Sequence, residues 1–277
     1  MSDRIIAFVD GSIYSTSVCA YAAWAAGKLG QGVDIVHVTG RRESAAEGLG
    51  ARSALQAELA ALDAQRERLA ESRGRAILDD AGAMVRDAGV SDVATELLGG
   101  DLLSALSARE TGAGIVVVGK RGEAADYAIG HLGSNLERIA RATATPVLVA
   151  ARAFSPVRKV LVAHDGGSVA LRAVDEVARS PLFEGTEVIV ATVGADTPEV
   201  RRRHDDAIAV LRAGGLKAES RIVQGQTDLA LGTLVEVEGV DMLVMGSYGH
   251  SRLRRFFIGS TTEAVLLSCK VPVLLLR

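Results

Sequence analysis

Aromatic residues make up only 4% of this 277-residue chain, with a single tryptophan. A core of this size must therefore be built from Ala, Val, Leu and Ile, the composition of parallel sheets covered by helices. Two cysteines, Cys19 and Cys269, are too few for a disulfide framework, and neither lies in a CxxC pair. Both read as small buried hydrophobes in a reducing compartment. Five histidines are scattered with no zinc-ligand spacing. No uncharged run reaches the roughly 18 residues of a membrane helix, and the start, MSDRIIAFVDGS, lacks the long apolar region of a signal peptide. The expectation is a cytoplasmic protein without membrane insertion. Proline is scarce (5) while glycine is frequent (30) without a three-residue period, which excludes collagen. A net charge of −3 gives no reason to expect nucleic-acid binding.

What is present is a repeat. Arg4-Ile-Ile-Ala-Phe-Val-Asp10-Gly-Ser is matched by Lys159-Val-Leu-Val-Ala-His-Asp165-Gly-Gly-Ser. Ile115-Val-Val-Val-Gly119-Lys-Arg-Gly122 is matched by Met242-Leu-Val-Met-Gly246-Ser-Tyr-Gly249, and Leu132-Gly133-Ser134 by Ile258-Gly259-Ser260. Thr145-Pro146-Val-Leu-Val pairs with Val271-Pro272-Val-Leu-Leu. Four landmarks in the same order indicate a duplication. The boundary is expected near 151–157, giving domains 1–152 and 157–277. The first copy carries 28 extra residues between its first strand and its glycine motif, placed near 41–75. Leu55, Leu59, Leu62 and Leu69 recur there at helical spacing. The simple reading is a longer surface helix on its own domain; the sharper one is a helix that covers a site or recruits a partner.

Each half alternates apolar strands with amphipathic helices. In the second, strands are expected at Val160–Ala163, Glu187–Val193, Ala218–Val223, Asp241–Met245 and Pro272–Leu276. Helices are expected at Ser168–Arg179 (stripe Leu171, Val174, Val177, Ala178), Pro198–Ala213 (capped by Thr197), Asp228–Glu238 and Ser260–Leu267. This is an α/β pattern, parallel sheets with helices on both faces.

Gly246-x2-Gly249-x9-Gly259-Ser260 follows a strand and ends at a helix start. Glycines admit close backbone approach to a ligand, and a helix N-terminus with hydroxyls from Ser260 and Thr261 suits an anion. The loop between adds Arg252, Arg254 and Arg255. Asp165 ends the neighbouring strand, where a carboxylate can accept from a ribose hydroxyl or an adenine amino group.

Strand-Asp-Gly, strand-G-x2-G-x9-G-S-helix and a final P-V-L strand resemble the universal stress protein family, in two tandem copies spanning nearly the whole chain. The resemblance implies two open parallel five-stranded sheets of order 3-2-1-4-5, Rossmann-like, with terminal strands pairing across the copies as an intramolecular pseudo-dimer. Further homodimerisation is compatible with it. In ATP-binding members adenosine lies between strands 1 and 4. Carried over, Ala163, His164 and Asp165 face adenosine; Met245, Gly246 and Gly249 pass under ribose and phosphates; Gly259, Ser260 and Thr261 hold phosphate; His250, in the loop beside them, reads either as a phosphate contact or as a solvated loop histidine. The implied ligand is an adenine nucleotide, ATP with or without Mg2+, acting as a regulator of a stress-response protein. A slow ATPase and a non-catalytic scaffold with a vestigial pocket are the alternatives.

The first copy departs from the pattern. Ten residues separate Gly122 from Gly133, and they include Glu123 and Asp126 in place of the arginines. Lys120 and Arg121 offset part of that charge. Asp10, Gly119, Gly122, Gly133 and Ser134 thus define a degenerate second site. No metal ligand or catalytic residue is assigned.

Overall fold

A computed structural model describes residues 3–40, 53–121, 133–247 and 259–277. The first half runs β1 (Arg4–Phe8), α1 (Ser15–Leu29), β2 (Val33–Gly40), α2 (Ser53–Asp87), β3 (Val93–Gly100), α3 (Leu102–Ser107), β4 (Ala113–Gly119), α4 (Ser134–Ala142) and β5 (Val147–Ala150). The second runs β6 (Lys159–Ala163), α5 (Ser168–Arg179), a 3-10 turn (Pro181–Phe183), β7 (Glu187–Val193), α6 (Pro198–Ala213), β8 (Lys217–Val223), α7 (Thr227–Glu238), β9 (Met242–Gly246), α8 (Ser260–Ser268) and β10 (Val273–Leu276). The chain is therefore α/β, as the pattern predicts.

The strands form one ten-stranded sheet of order β3-β2-β1-β4-β5-β10-β9-β6-β7-β8. Each half contributes five parallel strands, and a single antiparallel pair, β5 with β10, joins them through Val149↔Val273, Leu148↔Leu274 and Val147↔Leu275. Pairing these two strands removes two open edges. The remaining edges, β3 and β8, carry exposed charge at Glu96 and Glu219, which discourages further strand addition. Cations of one half also reach carbonyls of the other. Lys28 donates to Glu184 O (2.9 Å), Lys120 to Cys269 O (2.5 Å) and Arg277 to Arg141 O (3.0 Å).

Strand residues alternate between two apolar layers, because successive side chains leave opposite faces. Ile5, Ala7, Val160 and Val162 meet α1, α2, α5 and α6 through Val18, Val85, Val177 and Leu211. Ile6, Phe8, Leu161 and Leu243 meet the other helices through Leu106, Ile139, Leu231 and Leu266. Both layers take residues from both halves, so the core is continuous across the joint. Both cysteines are buried free thiols, and burial pushes the Cys19 thiol up to about 11.

Several local readings change. The buried stripe of α5 is Ala170, Ala173, Val174 and Val177, while Leu171 is 53% exposed. The spacing i, i+3, i+4, i+7 begins one residue earlier than expected. Thr197 caps α6 by accepting from Val200 N (3.3 Å), with Pro198 in the first turn. The surplus of the first half lengthens α2 to 35 residues. Its C-terminal part packs through Leu78, Ala81 and Val85, while no residue from 57 to 73 is buried.

Candidate functional site

In each half the first strand turns outward to one neighbour and the fourth to the other. β6 leads to β7 and β9 lies beside β10, so the sheet reverses between β6 and β9, and likewise between β1 and β4. Ligands of open α/β sheets bind at the carboxyl ends of strands at such a switch. Val162 pairs with Val244, which sets Ala163-His164-Asp165 and Met245-Gly246 side by side at that end.

Both aspartates have a local task. Asp165 Oδ1 accepts from Gly167 N (2.8 Å), and Asp10 Oδ1 from Ser12 N (2.9 Å). The intervening glycines, Gly166 and Gly11, both sit at φ 79°, which favours glycine over any residue with a Cβ. The Asp-Gly signature is thus a tight turn after the strand that presents a carboxylate at the switch point.

The glycines of the second copy divide by role. A Cβ at Gly246 would stand 2.8 Å from Val169 Cγ1 of α5, so this position is glycine because a helix side chain fills the space. Gly119 is crowded in the same way, by Tyr14 Cβ at 2.7 Å. Gly259 differs. It has φ −59°, and among the described residues a Cβ there would meet only Thr262 Oγ1 at 3.7 Å. Among the described residues, then, nothing calls for glycine at 259. Gly259 is the N-cap of α8 and Ser260 and Thr261 are exposed on its first turn, while Thr262 is buried and donates to Ser247 O (3.4 Å). Gly249, His250 and the three loop arginines lie outside the described residues, as do Gly122, Glu123 and Asp126.

His164 is 3% exposed, and its neighbours on β6 place it on the α5–α6 face of the sheet. There it meets His204 of α6, the rings edge-to-face with centroids 5.9 Å apart. The hydroxyl of Thr192 donates to His164 O and contacts His204 Nε2 at 2.7 Å. Since its one proton goes to the carbonyl, it accepts from His204, which fixes the Nε2–H tautomer. His164 Nε2 and His204 Nδ1 are buried without a hydrogen-bond partner among the described residues. Burial lowers both imidazoles below 6.5; charge adds to this at His164, where His204 and Arg203 lower it against Asp165, and opposes it at His204, which Asp205 and Asp196 pull upward. In the first half His37, at the place of Thr192, bonds Val9 O directly (2.8 Å). Both copies thus tie down the carbonyl before the aspartate. His204 was invisible as a site residue because its partner is 40 residues away in sequence.

A cavity of about 410 Å³ opens at the switch point of the first half. Asp10, Gly119 and Gly133 line it together. Sequence reasoning did not single out four other contributors, Val36, Val38, Asp101 and Arg138. Val36 and Val38 form an apolar wall from β2. Asp101 caps α3 by accepting from Leu103 N (3.1 Å), and its ion pair with Arg138 of α4 holds its carboxyl below the usual range. Arg121 lines the cavity, but Lys120 does not, because its ammonium is committed to Cys269 O in the other half. Burial lowers the Lys120 pKa. Ser134 is the first residue of α4, between the cavity-lining Gly133 and Asn135.

The fold is therefore a doubled, Rossmann-like α/β architecture with a cavity of about 410 Å³ at the switch point of its first half. The universal stress protein family model matches residues 1–151 and 194–277. The chain is 34% identical over 99% of both chains to Universal stress protein Slr1230 of Synechocystis. It is 32% identical to Universal stress protein MJ0577 of Methanocaldococcus jannaschii across 29% of this chain and 50% of that one. A universal stress protein structure from Archaeoglobus fulgidus superposes over 100% of this chain and 97% of its own with TM-score 0.74 at 20% identity. The chain belongs to the universal stress protein family, as a tandem member. Among the described residues no helix is long and apolar enough to cross a membrane, and no three His, Cys, Asp or Glu side chains form a metal-binding group.

Proposed function

We propose that this stress-response protein binds an adenine nucleotide, ATP in the first instance, at the switch point of its second half, as a regulatory ligand rather than a substrate. The observation that carries this reading is Gly259. It stands at a helix N-terminus beside exposed Ser260 and Thr261, and among the described residues only Thr262 Oγ1, at 3.7 Å, comes near the place of its missing side chain. A phosphate there gains backbone N–H donors and the positive end of the helix dipole. Ala163, Asp165 and Met245 supply the nucleoside end, and Gly249, His250 and Arg252, Arg254 and Arg255 the loop between.

The first-half cavity favours a second ligand of lower charge. Its volume, about 410 Å³, falls in the ordinary range for small-molecule pockets, and its lining pairs Asp10 and Asp101 with Arg121 and Arg138. Balanced charge and an apolar wall suit a nucleoside or monophosphate better than a triphosphate. Mass spectrometry of nucleotide released from the purified chain tests the main reading. Retained ATP or ADP supports it; a protein that neither retains nor binds an adenine nucleotide is a scaffold. Titration with and without Mg2+ separates a metal-bridged complex from a metal-free one.

A further inference from the structure

The ladders of β1 with β2 and of β6 with β7 end as the chain enters the two Asp-Gly turns. His164 N still donates to Ala191 O (2.8 Å), and Val9 N to Val36 O (3.0 Å). The carbonyls of the same two residues are held by side chains instead, His164 O by the Thr192 hydroxyl and Val9 O by His37 Nδ1. The aspartate follows at once, and its carboxylate closes the turn on Gly167 N in one half and Ser12 N in the other. Where that carbonyl stands therefore sets where the carboxylate stands.

The two halves supply the imidazole from different elements. Pairing of Phe8 with Val36 and of Ala163 with Ala191 puts His37 and Thr192 at the same place on β2 and β7. In the first half the strand itself carries the ring. The helix residue against it is Gly74 of α2, where a Cβ would stand 2.9 Å from His37 Cδ2. In the second half the strand carries a short hydroxyl, and the ring comes from His204 of α6, with Nε2 2.7 Å from Thr192 Oγ1. The preceding helix residues match as well, since Arg73 stands beside Gly11 and Arg203 beside Gly166. Burying an imidazole costs free energy where a nitrogen finds no partner, and His204 Nδ1 finds none among the described residues. An aliphatic side chain would avoid that cost. The strand and helix positions thus exchange which of them carries the ring and keep what the ring holds.

We infer that His204, acting through Thr192, is a positioning residue for the ligand site of the second half: it fixes the backbone from which Asp165 meets the nucleoside. The role rests on an adenine nucleotide beside Asp165, as proposed above. Two measurements test it, calorimetric titration of ATP into the full chain and hydrogen exchange of the Gly167 amide in the ligand-free chain. Thr192→Val keeps the shape and removes the hydroxyl. It should weaken ATP binding about tenfold, the scale of one lost hydrogen bond, and speed exchange at Gly167. Thr192→Ser should keep both near the wild type. His204→Leu should match Thr192→Val, and the double variant should be no worse than either, because both break one chain of contacts. His204→Gln, which keeps a donor, should lose little. Thr192→His with His204→Gly rebuilds the link of the first half and should recover the affinity. Wild-type exchange at Gly167 in Thr192→Val overturns the proposal. So does a serine as damaging as valine, or losses that add in the double variant. A chain that binds no ATP, yet loosens at Gly167 in Thr192→Val, overturns the nucleotide reading and keeps the positioning of the turn.

Discussion

Lowering the pH from about 7.5 to about 5.5 loads the buried histidine pair under the β6 turn. His164 and His204 are 3% and 1% exposed and stand in edge-to-face contact. Burial holds both below their ordinary value of 6.5. The unfolded chain then binds protons that the folded chain excludes. The stability this gives is complete above the unfolded value and is lost as the pH falls through the window down to the folded values. Each excluded proton contributes a slope of about 1.4 kcal/mol per pH unit, so two give at most about 2.7 kcal/mol per unit. Replacing His164→Val, the residue at the matching place in the first half, together with His204→Gln removes both titrations. Glutamine keeps a donor for Thr192 Oγ1. Urea unfolding at several pH values should show the wild type losing stability more steeply below about pH 6.5 than the double variant. Asp165, Asp196 and Asp205 remain in both proteins, so their contribution cancels to first order. Parallel profiles would refute the reasoning, since they would mean that the imidazoles titrate alike in both states.

Three further outcomes are expected. Gly246→Ala should destabilise the chain by roughly 1–3 kcal/mol, because the new Cβ meets Val169 Cγ1 at 2.8 Å, whereas Gly259→Ala should stay within about 0.5 kcal/mol; thermal unfolding compares them. Leu274→Ala, at a 1% exposed position of β10 facing Leu148, should cost about 2–5 kcal/mol in denaturant unfolding. Removing the arm at 57–70 should leave ATP affinity in the second half within tenfold, about 1.4 kcal/mol, by calorimetry; a larger loss would mean that the arm covers that site.

Local chemistry was legible in the sequence. The strand Glu187–Val193 and the helices Ser168–Arg179 and Pro198–Ala213 have the bounds expected of them, because apolar runs, Thr197 and Pro198 are local signals. The repeat made the two five-stranded units legible together. Contacts between distant segments were not. His164 with His204, Asp101 with Arg138 and Lys120 with Cys269 O join groups whose sequence neighbours give no hint of the partner. Leu171 was misread because a large apolar residue outweighed the alanines at 170 and 173 that face the core. The meaning of single glycines was also hidden: Gly246 yields to a helix side chain and Gly259 does not, a difference that only the fold creates.

Isothermal titration of ATP into the full chain, Gly259→Val and Gly133→Val tests the central claim most directly. The account predicts that Gly259→Val removes the tight binding event while unfolding much as the wild type does, since among the described residues a Cβ at 259 meets no atom closer than 3.7 Å. Gly133→Val should leave that event unchanged. A charge-assisted hydrogen bond to phosphate is worth about 1.5–3 kcal/mol, so the second half should bind tenfold to several hundredfold more tightly than the first. Equal binding at both halves, or binding lost with Gly133→Val but kept with Gly259→Val, would contradict it.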